Sequence, residues 1–173
     1  MIHLSVKILG CKLSMLFSDN IRKLINDNTE YNINAVEPIE MLSYRRFDIV
    51  AKYLYAVAIE RGIHSCYAEE LYLAHVKAFN NFVEADGSAK VGPEAFTTSM
   101  NELQRSIKSN GFSEEAPVPL SRDRVPLDGA HRLGISIALN HDVQTVTLDV
   151  DSPIYDYRFF KSRGLKDSYL DNM

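Results

Sequence analysis

A chain of 173 residues is long enough to fold around one hydrophobic core, and we expect a single domain over residues 1–173. Hydrophobic residues make up 46% of the chain and charged residues 24%, proportions that exclude a long disordered region. The net charge of −4 and the acidic pI of about 5.7 weigh against a dedicated nucleic-acid-binding surface, which requires an excess of Lys and Arg.

The sequence contains no signal for a membrane or for export. No apolar run approaches the length of about 18 residues that a membrane-spanning helix requires. The apolar N-terminus, residues 1–17, is interrupted by Lys7 and Lys12 and has no small-residue cleavage site, so we expect it to belong to the domain. The cytoplasm is then the expected location, where Cys11 and Cys66 would stay reduced.

The first predicted elements are a short helix and a strand. Apolar residues recur near helical spacing over residues 12–27, which predicts one amphipathic helix. Residues 31–36 alternate between apolar and polar side chains, a pattern typical of a half-buried strand, and Pro38 closes this strand.

Three longer helices are predicted next. The first two, over residues 48–61 and 65–84, each carry an apolar stripe that indicates packing in the core, and Ser65 is a residue type that caps helix N-termini. After a loop, a third helix over residues 93–110 is stopped by Gly111.

The most informative segment is the one that ends at residue 149. Its centre is Asp128-Gly129-Ala130-His131-Arg132, referred to below as the box. The strands and the helix around the box are predicted, in chain order, as strands 116–120 and 125–127, helix 133–139 and strand 143–149. Backbone N–H groups at the start of this helix, together with His131 and Arg132, form a compact anion site suited to a phosphate.

The predicted order is a helix that ends at a glycine, two strands, a helix that begins at a glycine turn, and a final strand. This order resembles the core of the ParB/sulfiredoxin superfamily. The resemblance covers residues 31–48 and 96–149, so the intervening residues, about 48–92, are expected to be an inserted helical hairpin. Free serine kinases of this fold carry a box of the Asp-Gly-His-His-Arg type, and the box here is most similar to theirs. Sulfiredoxin has a cysteine at the position of Ala130, so its reductive chemistry is not expected. The implied fold class is α+β, with a small mixed sheet and packed helices.

The resemblance implies an ATP-binding enzyme that transfers phosphate to a small hydroxyl-bearing molecule with the help of Mg²⁺. It assigns nucleotide binding to the box and to the helix that borders the nucleotide, at Gly129, His131, Arg132 and Ser106. Asp128 is expected to hold the metal ion or to orient the acceptor hydroxyl, and the alternative is that it only caps the helix. His131 is a further candidate catalytic residue, since an imidazole can donate to a phosphoryl oxygen.

Glu40, in the loop after the first strand, falls nearest the position of the catalytic base in free serine kinases, and Glu37 is the alternative. A carboxylate there would accept the proton of the attacking hydroxyl. A dense charged cluster follows, consisting of Arg45, Arg46, Asp48 and Lys52. Such clusters usually face water, but two arginines beside a phosphate pocket would also suit a triphosphate or an anionic acceptor.

Two other functions stay open at the level of the sequence. One is a ParB-like nuclease or a DNA-associated nucleotide-binding module, although the stretch after residue 149 is short for a DNA-reading domain. The other is a non-catalytic binding or accessory protein, in which the aromatic residues near the C-terminus either dock on a partner or pack on the domain. These residues are Tyr155, Tyr157, Phe159 and Phe160. The histidines show no His-x-x-x-His spacing, so no zinc site is predicted.

Overall fold

Four short strands form one mixed sheet in the computed structural model, which describes residues 5–63, 66–84, 90–112 and 117–173. The strands are β1 (Val6–Leu9), β2 (Glu30–Val36), β3 (Val118–Leu120) and β4 (Val143–Thr147). Their order across the sheet is β1-β2-β4-β3; the β1–β2 and β2–β4 pairs are antiparallel, and the β4–β3 pair is parallel. Helices and this sheet together confirm the predicted α+β class, while the superfamily resemblance stays a prediction.

Eight α-helices and one short 3-10 helix occur in the described ranges. The helices are α1 (Gly10–Ser14), α2 (Asp19–Arg22), α3 (Phe47–Glu60), α4 (Cys66–Asn80), α5 (Pro93–Asn110), α6 (Ala130–Leu139), α7 (Tyr157–Ser162) and α8 (Asp167–Leu170), and the 3-10 helix spans Pro38–Met41. None of them is long and apolar enough to cross a lipid bilayer.

Two element predictions were wrong. Residues 12–27 form two short helices rather than one, because the chain turns after Ser14 and the Arg22 guanidinium binds the carbonyls of Ser14 and Phe17 at the turn. Residues 125–127 form no strand: Pro126, which has no N–H to donate, makes a single bridge to Leu120.

The second long helix is also shorter than predicted. It ends at Asn80 rather than near residue 84, because Asn81 and Phe82 adopt left-handed backbone conformations with φ of 54° and 60°. The N-cap predicted at Ser65 lies outside the described residues.

Apolar side chains cover both faces of the sheet. On one face, Val36, Val118 and Val143 pack against Ile49 of α3 and Leu133 of α6. On the other face, Val146 packs against side chains of the N-terminal helices, namely Leu13, Phe17 and Ile21. The sheet therefore lies between the α3–α6 pair and the N-terminal segment.

Helices α3 and α6 approach each other so closely that one position must be glycine. A Cβ atom built on Gly134 of α6 would lie 2.8 Å from the backbone N of Tyr53 and 2.9 Å from the Cβ of Lys52, both on α3. The contact fixes Lys52 relative to the helix that begins at the box.

Gly134→Ala is expected to lower the free energy of unfolding, although alanine is the better helix former. The steric clash with the Tyr53 backbone destabilises the fold by more than the higher helix propensity of alanine stabilises it. The net decrease in the free energy of unfolding is about 1–2 kcal/mol. Urea denaturation measures it. Ser136→Ala on the same helix is the control: the buried Oγ of Ser136 has no hydrogen-bond partner among the described residues, so its removal should leave stability unchanged or raise it. A Gly134→Ala protein as stable as the wild type would contradict the close approach.

The segment after β4 packs on α3 and α4. The Tyr155 backbone pairs with that of Arg45 and Phe47, through Tyr155 N–H to the Arg45 carbonyl (2.8 Å) and Phe47 N–H to the Tyr155 carbonyl (3.0 Å). Phe160 of α7 is fully buried in an aromatic cluster with Phe79 of α4. These aromatic residues thus contribute to the core, the second of the two roles considered for them.

Candidate functional site

The box lies at the start of α6, where the chain turns through a left-handed glycine. Gly129 has φ 79° and ψ 21° and is the N-cap of the helix, so Asp128 does not fill the capping position. The Asp128 side chain instead accepts a hydrogen bond from the Gly129 N–H, with an O···N distance of 2.6 Å. The backbone N–H groups of the first helical turn lie directly after this turn, as a phosphate site requires.

Two adjoining cavities meet at the box. The first has a volume of about 250 Å³ and the second about 350 Å³. Both are lined by the same five residues, Glu84, Phe96, Asp128, Ala130 and His131. We call this set the shared wall. Gly129, Lys90 and Arg132 line only the first cavity, whereas Arg46, Asp48, Lys52 and His75 line only the second.

His131 is held in place by Tyr72 of α4. The Tyr72 hydroxyl lies 3.0 Å from Nε2 of His131, and the Tyr72 ring stacks on Tyr55 at 4.8 Å between ring centroids. Burial, together with the charges of Lys52 and Lys90, lowers the pKa of His131 well below the usual 6.5. The imidazole is therefore neutral at pH 7 and offers one donor and one acceptor nitrogen.

Arg132 lines the first cavity but not the second. Its guanidinium lies over the ring of Phe112, 5.4 Å from the centroid. Burial lowers the pKa of Arg132 below its ordinary 12.5, although the Asp128 carboxylate acts against this. The side chain stays charged at neutral pH and contributes a cation to the first cavity.

A buried ion network borders the second cavity, formed by Arg46, Asp48 and Lys52, which are 2%, 1% and 4% exposed. Arg46 Nε and Nη2 each lie 2.8 Å from an Asp48 oxygen, and Lys52 Nζ lies 3.2 Å from Asp48 Oδ2. Arg46 Nη1 also donates to the carbonyl of Pro126, two residues before the box. The network therefore fixes the start of α3 against the chain entering the box.

The network carries one net positive charge. Burial alone would raise the pKa of Asp48, but Arg46 and Lys52 outweigh it and hold this pKa far below 3.8. Burial lowers the pKa of Lys52, with Asp48 acting against this. The expectation that the charged cluster faces water was wrong for these three residues; only Arg45, paired with Asp123 at 3.1 Å, is partly exposed.

His75 of α4 is a buried polar side chain for which the sequence predicted no role. It is 0% exposed, and neither ring nitrogen makes a hydrogen bond of normal geometry within the described residues. The rings of Phe79 and Phe160 lie 6.2 and 5.2 Å away between centroids. Burial and the charge of Lys52 lower its pKa well below 6.5, so the ring is neutral. An orphaned buried imidazole is costly, at roughly 1–3 kcal/mol for each unsatisfied group.

Glu84 is the second carboxylate of the shared wall, also unassigned in the sequence. It follows the left-handed turn that ends α4, and a bridge between Val83 and Val91 brings it beside Lys90. The Glu84 and Lys90 side chains form an ion pair of 3.0 Å. Its only signal in the sequence was a position near the end of a predicted helix.

Several residues predicted for the site lie elsewhere. Glu40 and Glu37 line a separate depression that shares no residue with either cavity, and Glu40 lies 3.7 Å from Arg124. Ser106 is exposed on α5, which lines the first cavity through an earlier stretch. Lys108 on the same helix is paired with Glu60 at 2.7 Å. The roles proposed for Glu40 and Ser106 stay predictions, with no shared cavity to support them.

The shared wall supplies carboxylates but no complete metal centre. Among the residues that the structure describes, no group of three or more His, Cys, Asp and Glu side chains is arranged to hold a metal ion. Asp128 and Glu84 supply two carboxylates, each with one oxygen engaged, by the Gly129 N–H and by Lys90. Mg²⁺ commonly takes one or two carboxylates and completes its octahedron with phosphate oxygens and water.

Comparison of the chain with protein-family models, with curated protein sequences and with solved structures gave no match.

Proposed function

We propose that this chain is a nucleotide-binding enzyme that transfers a phosphoryl group to a small hydroxyl-bearing molecule. The observation that supports this most strongly is the shared wall, where two cavities meet at Asp128, Glu84 and His131. A two-substrate transfer requires two adjacent pockets with acid–base groups between them. A protein that only binds one ligand requires a single pocket.

The first cavity suits the phosphates of the donor nucleotide. The first turn of α6 supplies backbone N–H groups, and Arg132 and Lys90 supply cations. A bound Mg²⁺ would neutralise charge on the phosphate oxygens, held by one of the two carboxylates, Asp128 or Glu84, which leaves the other to accept a proton. Neutral His131 donates a hydrogen bond to a phosphoryl oxygen when its protonated nitrogen faces that oxygen.

The second cavity suits the acceptor. In the transfer, the acceptor oxygen forms a bond to the terminal phosphorus, the bond to the diphosphate leaving group breaks, and the hydroxyl proton passes to a carboxylate. Asp128 and Glu84 are the carboxylates that line both cavities, and we assign proton acceptance to this pair. A volume of about 350 Å³ is typical of small-molecule sites.

Arg132→Ala is expected to weaken binding of ATP or ADP by about 1.5–3 kcal/mol, the range for losing a hydrogen bond to a charged group. Isothermal titration calorimetry of the wild type and the variant measures this. Arg132→Lys keeps the positive charge but loses the planar guanidinium that binds two oxygens at once. Its nucleotide affinity should therefore lie between those of the wild type and Arg132→Ala. Arg105→Ala is the matched control, since Arg105 is exposed on α5 and lines neither cavity.

Two results would contradict the proposal. One is a wild-type protein that binds no adenine or cytidine nucleotide with or without Mg²⁺. The other is equal loss of affinity in the Arg132 and Arg105 variants, which would reflect general charge rather than a site. The thermal unfolding temperature of each variant, measured in parallel, separates loss of binding from loss of the Phe112 contact.

A further inference from the structure

The second cavity contains hydrogen-bonding capacity that the described residues do not use. The Lys52 ammonium has three donor hydrogens, and the one hydrogen bond it makes among the described residues is to Asp48. His75 lines the same cavity, is 0% exposed and has no partner for either ring nitrogen within the described residues. Buried polar groups in folded proteins are nearly always paired, so an unpaired imidazole beside a partly used ammonium indicates a site for a bound partner.

The charge at this end of the cavity selects the kind of partner. Arg46 uses three of its five N–H donors, two on the Asp48 oxygens and one on the Pro126 carbonyl. Lys52 is the other cation of the network, and with Lys52 protonated the network as a whole is positive by one charge in a buried setting. A negatively charged oxygen group is the partner that compensates a buried ammonium.

Lys52 and His75 lie at the same end of the cavity. Both lie beside the ring of Phe79, with Lys52 Nζ 5.8 Å and the His75 ring 6.2 Å from its centroid. Asp128 and Glu84 belong to the shared wall and would repel an anion there. A ligand is thus oriented with its anionic end at Lys52 and its hydroxyl end towards the acids.

We propose that the second cavity binds the oxyanion end, a carboxylate or a phosphate ester, of a small hydroxyl-bearing molecule. Lys52 pairs with the oxyanion and His75 donates a hydrogen bond to it. That this molecule is the phosphoryl acceptor rests on the proposed function, whereas the anion site rests on the cavity alone. Neither residue touches the transferred group in this arrangement, so both act as binding and specificity residues.

Calorimetric titration with inorganic phosphate, malonate and glycerol, at constant ionic strength set with chloride, tests the site. We expect the wild type to bind at least one of the two anions and not glycerol. His75→Phe and Lys52→Met should each weaken that binding at least tenfold. Lys161→Met, which removes a lysine from an exposed ion pair with Asp167, is the control and should bind as the wild type does.

His75→Phe separates a binding role from a structural one. A phenylalanine ring fits among Phe79 and Phe160 and leaves no polar atom unpaired, so the unfolding temperature should be unchanged or higher while anion binding is lost. Should Lys52→Met fail to fold, His75→Phe decides the question alone. Preference for phosphate over malonate identifies a phosphate ester as the natural group, and the reverse identifies a carboxylate.

The proposal is overturned if the wild type binds neither anion, or if His75→Phe binds the anion as tightly as the wild type. ATP titration of the same proteins keeps the two proposals apart. Anion binding without any nucleotide binding would remove the proposed transfer and leave the anion site. Nucleotide binding without anion binding would remove the anion site and leave the proposed transfer.

Discussion

Asp128→Asn is expected to lower the rate of ATP-dependent phosphorylation by about 10²–10⁴, the range for loss of a general base. The amide oxygen of asparagine can still accept the hydrogen bond from the Gly129 N–H, now 2.6 Å long, so the turn into α6 should survive. Only the charge at the shared wall is removed. The measurement is ATP consumption against a panel of small hydroxyl compounds, in which molecules with a carboxylate or phosphate group and neutral ones are both represented.

Glu84→Gln and Glu40→Gln extend this test to the two candidate glutamates. We expect Glu84→Gln to slow turnover as well, because Glu84 lines both cavities, and Glu40→Gln to leave it near the wild-type rate. Asp123→Asn, an exposed acid paired with Arg45, is the matched control. Wild-type turnover in Asp128→Asn would remove the assignment of acid–base chemistry to the shared wall. Loss of turnover in Glu40→Gln alone would instead assign the general base to Glu40, in the loop after β2.

Asp48→Asn is expected to lower the free energy of unfolding by about 3–5 kcal/mol, the cost of breaking a buried ion pair from one side. The substitution leaves Arg46 and Lys52 as two buried cations without their shared carboxylate. Urea denaturation at pH 7 measures the change. Asp149→Asn is the control: Asp149 is also paired with an arginine, Arg122 at 2.6 Å, but its side chain is 89% exposed, so the cost should stay below about 1 kcal/mol.

The same variant has a pH signature. The folded-state pKa of Asp48 lies far below the unfolded value near 3.8, so its stabilisation is fully present above about pH 4 and is lost as the pH falls towards the folded pKa. The stability difference between the wild type and Asp48→Asn should therefore be constant from pH 7 to about pH 5 and shrink in stronger acid. A difference that grows in acid would contradict the charged state assigned to Asp48.

The sequence predicted the regular elements well where local signals are strong. Pro93 and Gly111 bound α5 as expected, and the alternation over residues 31–36 gave β2. It failed at 12–27 and 125–127, where turns are fixed by contacts such as that of Arg22 with the Ser14 carbonyl. Short apolar runs do not encode such contacts.

The candidate site was predicted only at the box. Lys52, His75 and Glu84 come from α3, α4 and the turn after α4, and they meet Asp128 through packing between helices that are distant in sequence. One signal was present: Asp48, Lys52 and Tyr55 share the i, i+4, i+7 spacing of a buried helix face. Charged residues on such a face indicate a buried network rather than a solvated cluster.

The close approach at Gly134 has a consequence for how related chains can vary. Any side chain at this position would displace α3 at Tyr53 and Lys52, and Lys52 would then shift relative to the box and the second cavity. Position 134 and position 52 are therefore expected to change together. Relatives that keep the lysine should keep the glycine, and relatives that have lost one of the two residues should tolerate substitution of the other. An alignment of relatives of this chain would show the cavity as that pair of linked positions, 82 residues apart in the chain.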